Sequence, residues 1–252
     1  MAMAVVLAGA AAAQTGTPPS SDPRDFQGTW DTGGLPHLTR DLTVTRRDAP
    51  DDIVNSTVLW PTDDKMPPFT AWGKARFDSA LAKNLSGKPF VDLSTRCMPH
   101  GVPRIMVAPY GVQIVQTKGL VTLLFAINHN VRLIHMDRPM PAKVPITLMG
   151  YSVGHWEGDT LVVHTKGVSD ASIMDVLGTP HSDEMQVTER LRKVDGGRVL
   201  ENMITIDDPI AYTRPWTARA AFRWDYGHRL MEYVCEENNR NAPDADGNAR
   251  TH

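Results

Sequence analysis

The chain has 252 residues, of which 41% are hydrophobic, and its formal net charge is −3. This length supports one sizeable hydrophobic core or at most two small ones. No block of like charge occurs, so the chain lacks the basic surface typical of proteins that bind nucleic acid. Glycine and proline occur 19 times each, which favours many turns over long helices.

The N-terminus resembles a secretory signal. Residues 1–13 are small, apolar and uncharged, and Ala11 and Ala13 form an A-x-A pattern before Gln14. The run is shorter than the ~20 apolar residues of a membrane span, and no later stretch is long and apolar enough either. We expect a signal peptide over 1–13, a flexible polar tether over 14–25 and a periplasmic or secreted protein; the alternative is a buried N-terminal helix.

One domain is predicted over 26–238, followed by a disordered tail over 239–252. The domain begins with a G-x-W string at Gly28 and Trp30, which resembles the opening of lipocalin-like barrels, where the tryptophan closes the barrel floor. Residues 35–100 are irregular because prolines interrupt each candidate element. One short helix is expected in this region, over 71–85, with an apolar stripe along one side.

From Gly111 onward the chain alternates short apolar runs with glycine-containing turns, a pattern typical of successive β-hairpins. The predicted strands are 27–32, 112–117, 120–128, 131–137, 151–156, 160–165, 185–194, 198–207, 217–224 and 229–236. They predict an all-β fold, an antiparallel up-and-down β-barrel of the lipocalin or calycin type. The alternative is an open, strongly curved sheet or sandwich with a helix packed on it.

Two cysteines, Cys97 and Cys235, leave one intramolecular pairing. Export makes a disulfide permissible, and two separate buried thiols are the alternative. A Cys97–Cys235 bond would join the irregular region to the last predicted strand.

Alternation along the strand 185–194 places Glu189 on its apolar face, between Val187 and Leu191. An ionised carboxylate in such a place needs a partner or must raise its pKa. Glu189 is therefore either a site acid or base, or half of a structural pair with an arginine. The candidate partners are Arg132, Arg219 and Arg223.

His181 lies in the loop that leads into the Glu189 strand, and a neutral imidazole there is suited to giving or taking a proton. A loop histidine that bonds backbone groups is the alternative. Aromatic walls suit a ring-shaped or sugar ligand, although core packing accounts for most aromatic residues. The candidate substrate-binding residues are Tyr151, Trp216, Tyr212 and His135.

No metal-binding or nucleotide-binding motif occurs, so we expect no metal and no cofactor. Histidines on neighbouring strands, among them His155 and His164, keep a histidine-dependent metal site as an alternative.

Four strings resemble a large family of exported bacterial proteins of unassigned function. They are RCMP with GVPR over 96–104, GYSVGHWEGDTL over 150–161, PHS over 180–182, and IDDP with YTRPW over 206–216. The resemblance implies export and a shared architecture, and it brings no catalytic residues. The family's D-G-R string after the Arg132 strand is replaced here by Asp137, Arg138 and Pro139.

The favoured function is a cofactor-free lyase, isomerase or hydrolase that acts on a small ring-containing metabolite. In that hypothesis His181 is the general acid or base, Glu189 complements it, and Arg132 stabilises developing negative charge. The alternative is a periplasmic protein that binds a small molecule without catalysis.

Overall fold

Nine strands close into a barrel in which each strand pairs with the next and β9 pairs with β1. The computed structural model describes residues 17–31, 58–63, 65–86, 93–226, 230–231 and 233–235. The strands are β1 (Gly28–Asp31), β2 (Val112–Thr117), β3 (Leu120–Phe125), β4 (Val131–Met136), β5 (Tyr151–Glu157), β6 (Thr160–Lys166), β7 (Gln186–Val194), β8 (Val199–Asp207) and β9 (Trp216–Trp224). The predicted all-β barrel is thus confirmed. The predicted signal peptide and C-terminal tail lie outside the described residues.

One pairing departs from the expected up-and-down pattern. β4 and β5 run parallel, with Ile134 beside Ser152, whereas every other neighbouring pair is antiparallel. Parallel neighbours need a long crossover, while antiparallel neighbours need only a tight turn. Residues 137–150 provide that crossover and return along the outside of the barrel, since the interior is filled.

The predicted last strand over 229–236 is wrong. β1 pairs along β9 through Trp30 and Trp224, so the position expected for a further strand is already taken. In the described part of 229–236, only an isolated bridge forms, between Tyr233 and Ile127.

The predicted helix is confirmed as α1 (Ala71–Leu85), whose first turn is capped by the Thr70 hydroxyl, which accepts from the Gly73 amide at 3.1 Å. A Cβ at Gly73 would lie 2.3 Å from the carbonyl oxygen of Ala211, so glycine permits the close approach of α1 to the loop between β8 and β9. No helix within the described residues is long and apolar enough to cross a membrane.

The barrel interior is filled by side chains that alternate along the strands. Trp30 is fully buried, donates its indole N–H to the Phe26 carbonyl at 2.9 Å and meets the Trp224 ring edge-on at 5.1 Å. Other buried residues of the core include Val112, Ile114, Val121, Leu123, Phe125, Ile134, Leu161, Val163, Val187, Leu191, Leu200, Ile204, Ile206, Ala218, Ala220 and Phe222.

The predicted disulfide between Cys97 and Cys235 is confirmed, with the two Cα atoms 5.4 Å apart and 138 residues apart in sequence. It joins the segment before β2 to the segment after β9. Such a bond suits an oxidising compartment.

The two ends of the barrel differ. Tight turns close one end, at 118–119, 158–159 and 195–198, and residues 17–25 lie against it, where Lys193 donates to the Ser20 carbonyl at 3.0 Å. The other end carries the long connections over 97–111, 167–185 and 208–215. His181 therefore lies at the end that is built from loops.

Candidate functional site

Arg132 and Glu189 form an ion pair inside the barrel. Arg132 projects inward from β4 and Glu189 from β7, and both side chains are almost completely buried. Arg132 Nη1 donates to Glu189 Oε1 at 3.1 Å, and Arg132 Nη2 donates to Oε2, so the contact is bidentate. Arg132 is thus the partner among the three arginines that the sequence left open.

Polar side chains from three further strands complete this cluster. Asn202 on β8 donates to Glu189 Oε1 at 2.9 Å. Arg132 Nη2 donates to Thr165 Oγ1 at 2.9 Å, and Arg132 Nε donates to Ser152 Oγ at 3.3 Å. A bidentate arginine–carboxylate contact with added hydrogen bonds is the geometry that offsets the desolvation of both ions. We interpret the pair as structural.

His181 lies in a separate network at the loop end. His181 is 3% exposed, its Nε2 lies 2.9 Å from Ser172 Oγ, and its Nδ1 lies 2.9 Å from the Ser182 carbonyl oxygen. A carbonyl oxygen only accepts, so Nδ1 carries the proton of the neutral ring. The Ser172 hydroxyl has one proton and two acceptors within 2.9 Å, which are His181 Nε2 and the Ser169 carbonyl oxygen. Burial lowers the pKa of His181, which keeps the ring neutral at pH 7.

Neighbouring groups form several hydrogen bonds with this loop. Asp208 accepts from the Ser182 amide at 2.6 Å and from the Ser182 hydroxyl at 2.9 Å, and Tyr212 donates to the Pro180 carbonyl at 2.8 Å. A Cβ at Gly101 would lie 3.0 Å from Ser172 Oγ, so the segment before β2 packs directly on the same group. Segments that are distant in sequence therefore meet around His181.

The candidate residues fall into three places. Arg132 and Glu189 are together in the interior, and no hydrogen bond among the described residues joins His181 to either of them. Tyr212 and Trp216 lie beside the His181 loop, with their rings edge-on at 5.4 Å. The remaining two candidates, His135 and Tyr151, stack at 4.8 Å on the outside of β4 and β5. A catalytic role for these residues stays a prediction.

A groove on the outer face of β5, β6 and β7 was not expected from the sequence. Its volume is about 520 Å³, within the range of roughly 300–1,000 Å³ typical of small-molecule sites. The crossover that follows β4 forms one wall of it. The lining residues are Asp137, Arg138, Met140, Val153, Gly154, His155, His164, Thr165, Lys166, Gln186, Val187 and Thr188.

Two histidines share this groove. The rings of His155 and His164 are nearly parallel, with centroids 6.0 Å apart. His164 Nδ1 lies 3.1 Å from Thr188 Oγ1, and His155 Nε2 lies 3.2 Å from Glu157 Oε1. Partial burial lowers the pKa of His164, and the neighbouring His155 lowers it further. The pKa of Glu157 is lowered by hydrogen bonds from Arg190 and then from His155.

The sequence contained one signal for this groove. Side chains alternate between the two faces of a strand, and this alternation places Glu189 inward. The same alternation directs the side chains of His155, His164 and Thr188 outward. The wall formed by the crossover was not predicted, because the expected up-and-down barrel contains no parallel pair of neighbouring strands.

The described residues contain no group of three or more histidine, cysteine or acidic side chains arranged to hold a metal ion. A scan against protein-family models finds no match for this chain, and a search of curated proteins finds no similar sequence. Function is therefore inferred from the geometry of the sites.

Breaking the interior ion pair should destabilise the barrel strongly. We expect Glu189→Gln to lower the free energy of unfolding by about 3–5 kcal/mol, because it leaves Arg132 buried without a charge partner. The double variant Arg132→Met with Glu189→Leu should recover most of this loss, as measured by urea unfolding. Lys74→Ala, which breaks the exposed Lys74–Asp78 pair, is the control and should change stability by less than about 1 kcal/mol. A Glu189→Gln effect as small as that control would contradict the structural interpretation.

Acid should destabilise the fold through His181. Its pKa is lowered in the folded protein, so the unfolded chain takes up a proton first as the pH falls below 6.5. Stability is therefore fully present above pH 6.5 and is lost below it, down to the folded-state pKa, by about 1.4 kcal/mol per unit of pKa difference. We expect the unfolding free energy of His181→Gln to fall less with acid than that of the wild type. Parallel pH profiles for the two proteins would contradict this assignment.

Proposed function

We propose that this protein binds a small molecule in the outer groove of β5, β6 and β7, and that it does so without catalysis. The groove carries the proposal, since it combines a suitable volume with polar groups from several strands. A site inside the barrel has less support, because apolar side chains and the Arg132–Glu189 cluster occupy the interior.

The lining of the groove suits a ring-containing ligand. Met140 and Val153 supply apolar surface, while Gln186 and Thr188 offer hydrogen bonds along the β7 side. Small-molecule sites commonly combine apolar walls with a few polar groups that set orientation.

Export to the periplasm or the medium is part of the proposal. It is supported by the signal-like residues 1–13, by the Cys97–Cys235 disulfide, and by the resemblance of four strings to exported bacterial proteins.

A second candidate function is cofactor-free acid–base chemistry centred on His181. The hydrogen-bond chain from Ser172 through His181 to the Ser182 carbonyl favours it, because it orients a neutral imidazole against a hydroxyl. With an identified substrate, His181→Gln should lower kcat by about 10²–10⁴-fold, while circular dichroism shows the fold retained. Ser172→Ala, which leaves the imidazole in place, should also lower kcat. Full turnover by both variants would remove this candidate.

Filling the groove should abolish ligand binding. Ligand-observed NMR against a panel of neutral and charged ring compounds should identify binders. When these binders are added, the protein's backbone amide resonances at Val153, His164 and Thr188 should shift. We expect Thr188→Trp to lose these binders, since the indole would occupy the groove. Thr205→Trp is the matched control, because Thr205 pairs with Thr188 on the neighbouring strand and does not line the groove. Binders that survive Thr188→Trp, or no binders from the whole panel, would contradict the groove proposal.

A further inference from the structure

The residues that line the groove carry more positive than negative charge. Arg138 from the crossover and Lys166 from β6 are cationic, while Asp137 is the acidic residue of the lining. Neither Arg138 nor Lys166 forms an ion pair with another described residue, although Lys74 and Arg190 do so elsewhere on the surface. The groove therefore offers two cations whose charge is available to a ligand.

The imidazole rings of His155 and His164 add to the positive charge of the groove when they are protonated. His155 and His164 repel each other when both are charged, because their ring centroids are only 6.0 Å apart. An anion bound beside them would relieve that repulsion and favour the protonated rings. The Glu157 carboxylate relieves the repulsion between the two rings only in part, because it is shared between His155 and Arg190.

We propose that the ligand of the groove is an organic anion, in which a ring contacts the apolar wall and a carboxylate or phosphate contacts Arg138, Lys166 and the two histidines. This inference rests on the proposed function and names its ligand class. The apolar wall of Met140 and Val153 accounts for the ring.

Protonation and binding should be coupled. A bound anion favours charged His155 and His164, so the complex takes up protons and binding tightens as the pH falls. The charged and titratable groups around the two rings, from the crossover and from β5, β6 and β7, are Asp137, Arg138, Glu157, Lys166 and Arg190.

Benzoate and benzamide form a matched pair of probes, because they have nearly the same shape and differ in charge. Titrations of the full chain followed by NMR should show benzoate binding at least about tenfold more tightly than benzamide, a difference of about 1.4 kcal/mol. The ratio should increase between about pH 8 and about pH 6, where imidazoles gain protons. Phenyl phosphate, titrated beside benzoate, distinguishes a phosphate preference from a carboxylate preference.

Variants test which residues recognise the negative charge of the ligand. Arg138→Gln with Lys166→Gln should lower benzoate affinity about tenfold and leave benzamide affinity unchanged. Lys118→Gln with Arg198→Gln removes the same charge from the tight-turn end of the barrel and should leave the ratio as in the wild type. His155→Gln with His164→Gln should make the ratio independent of pH.

The outcomes separate the two proposals. If benzamide binds the groove as well as benzoate does, or if the Arg138 and Lys166 variant keeps the wild-type ratio, the anion inference fails while groove binding stands. If neither benzoate nor phenyl phosphate binds but neutral members of the panel do, the anion inference fails alone. If no ring compound binds, both proposals fail.

Discussion

Two opposite charges meet inside the barrel, where the surrounding side chains are mostly apolar. Leaving either charge unpaired there would be costly, so Arg132 and Glu189 must face each other. Because side chains alternate along a strand, a slip of one residue in β4 or β7 would turn one partner outward. The ion pair therefore selects the register of these strands. Inward Glu189 requires outward Thr188, so the interior contact also determines what the outer groove presents.

The parallel pairing of β4 and β5 has an equally direct consequence. Since β4 ends at the tight-turn end and β5 begins at the loop end, residues 137–150 must travel along the outside of the barrel. This crossover places Asp137, Arg138 and Met140 over strands that are remote from them in sequence. An antiparallel hairpin at this point would leave the outer face of β5, β6 and β7 without its wall. The groove is thus a product of topology.

Local patterns predicted much of the fold and less of the candidate sites. Alternation and turn residues located β2 through β9 within a few residues, and the apolar stripe located α1. The strand expected over 229–236 failed because barrel closure by β1 is a long-range event that turn residues do not encode. The inward position of Glu189 was predictable from parity, whereas the choice of Arg132 over two other arginines depended on which strand lies across the interior.

The amino-acid sequence alone determined which residues alternate, where the chain turns, and that Cys97 had one possible partner, because these properties depend on local spacing and on counting. Tertiary structure decided the rest. It paired Arg132 with Glu189, set His181 against Ser172, and folded the crossover over His164. Each of these contacts joins segments whose order in space follows from strand pairing around a closed barrel, so no local pattern specifies them.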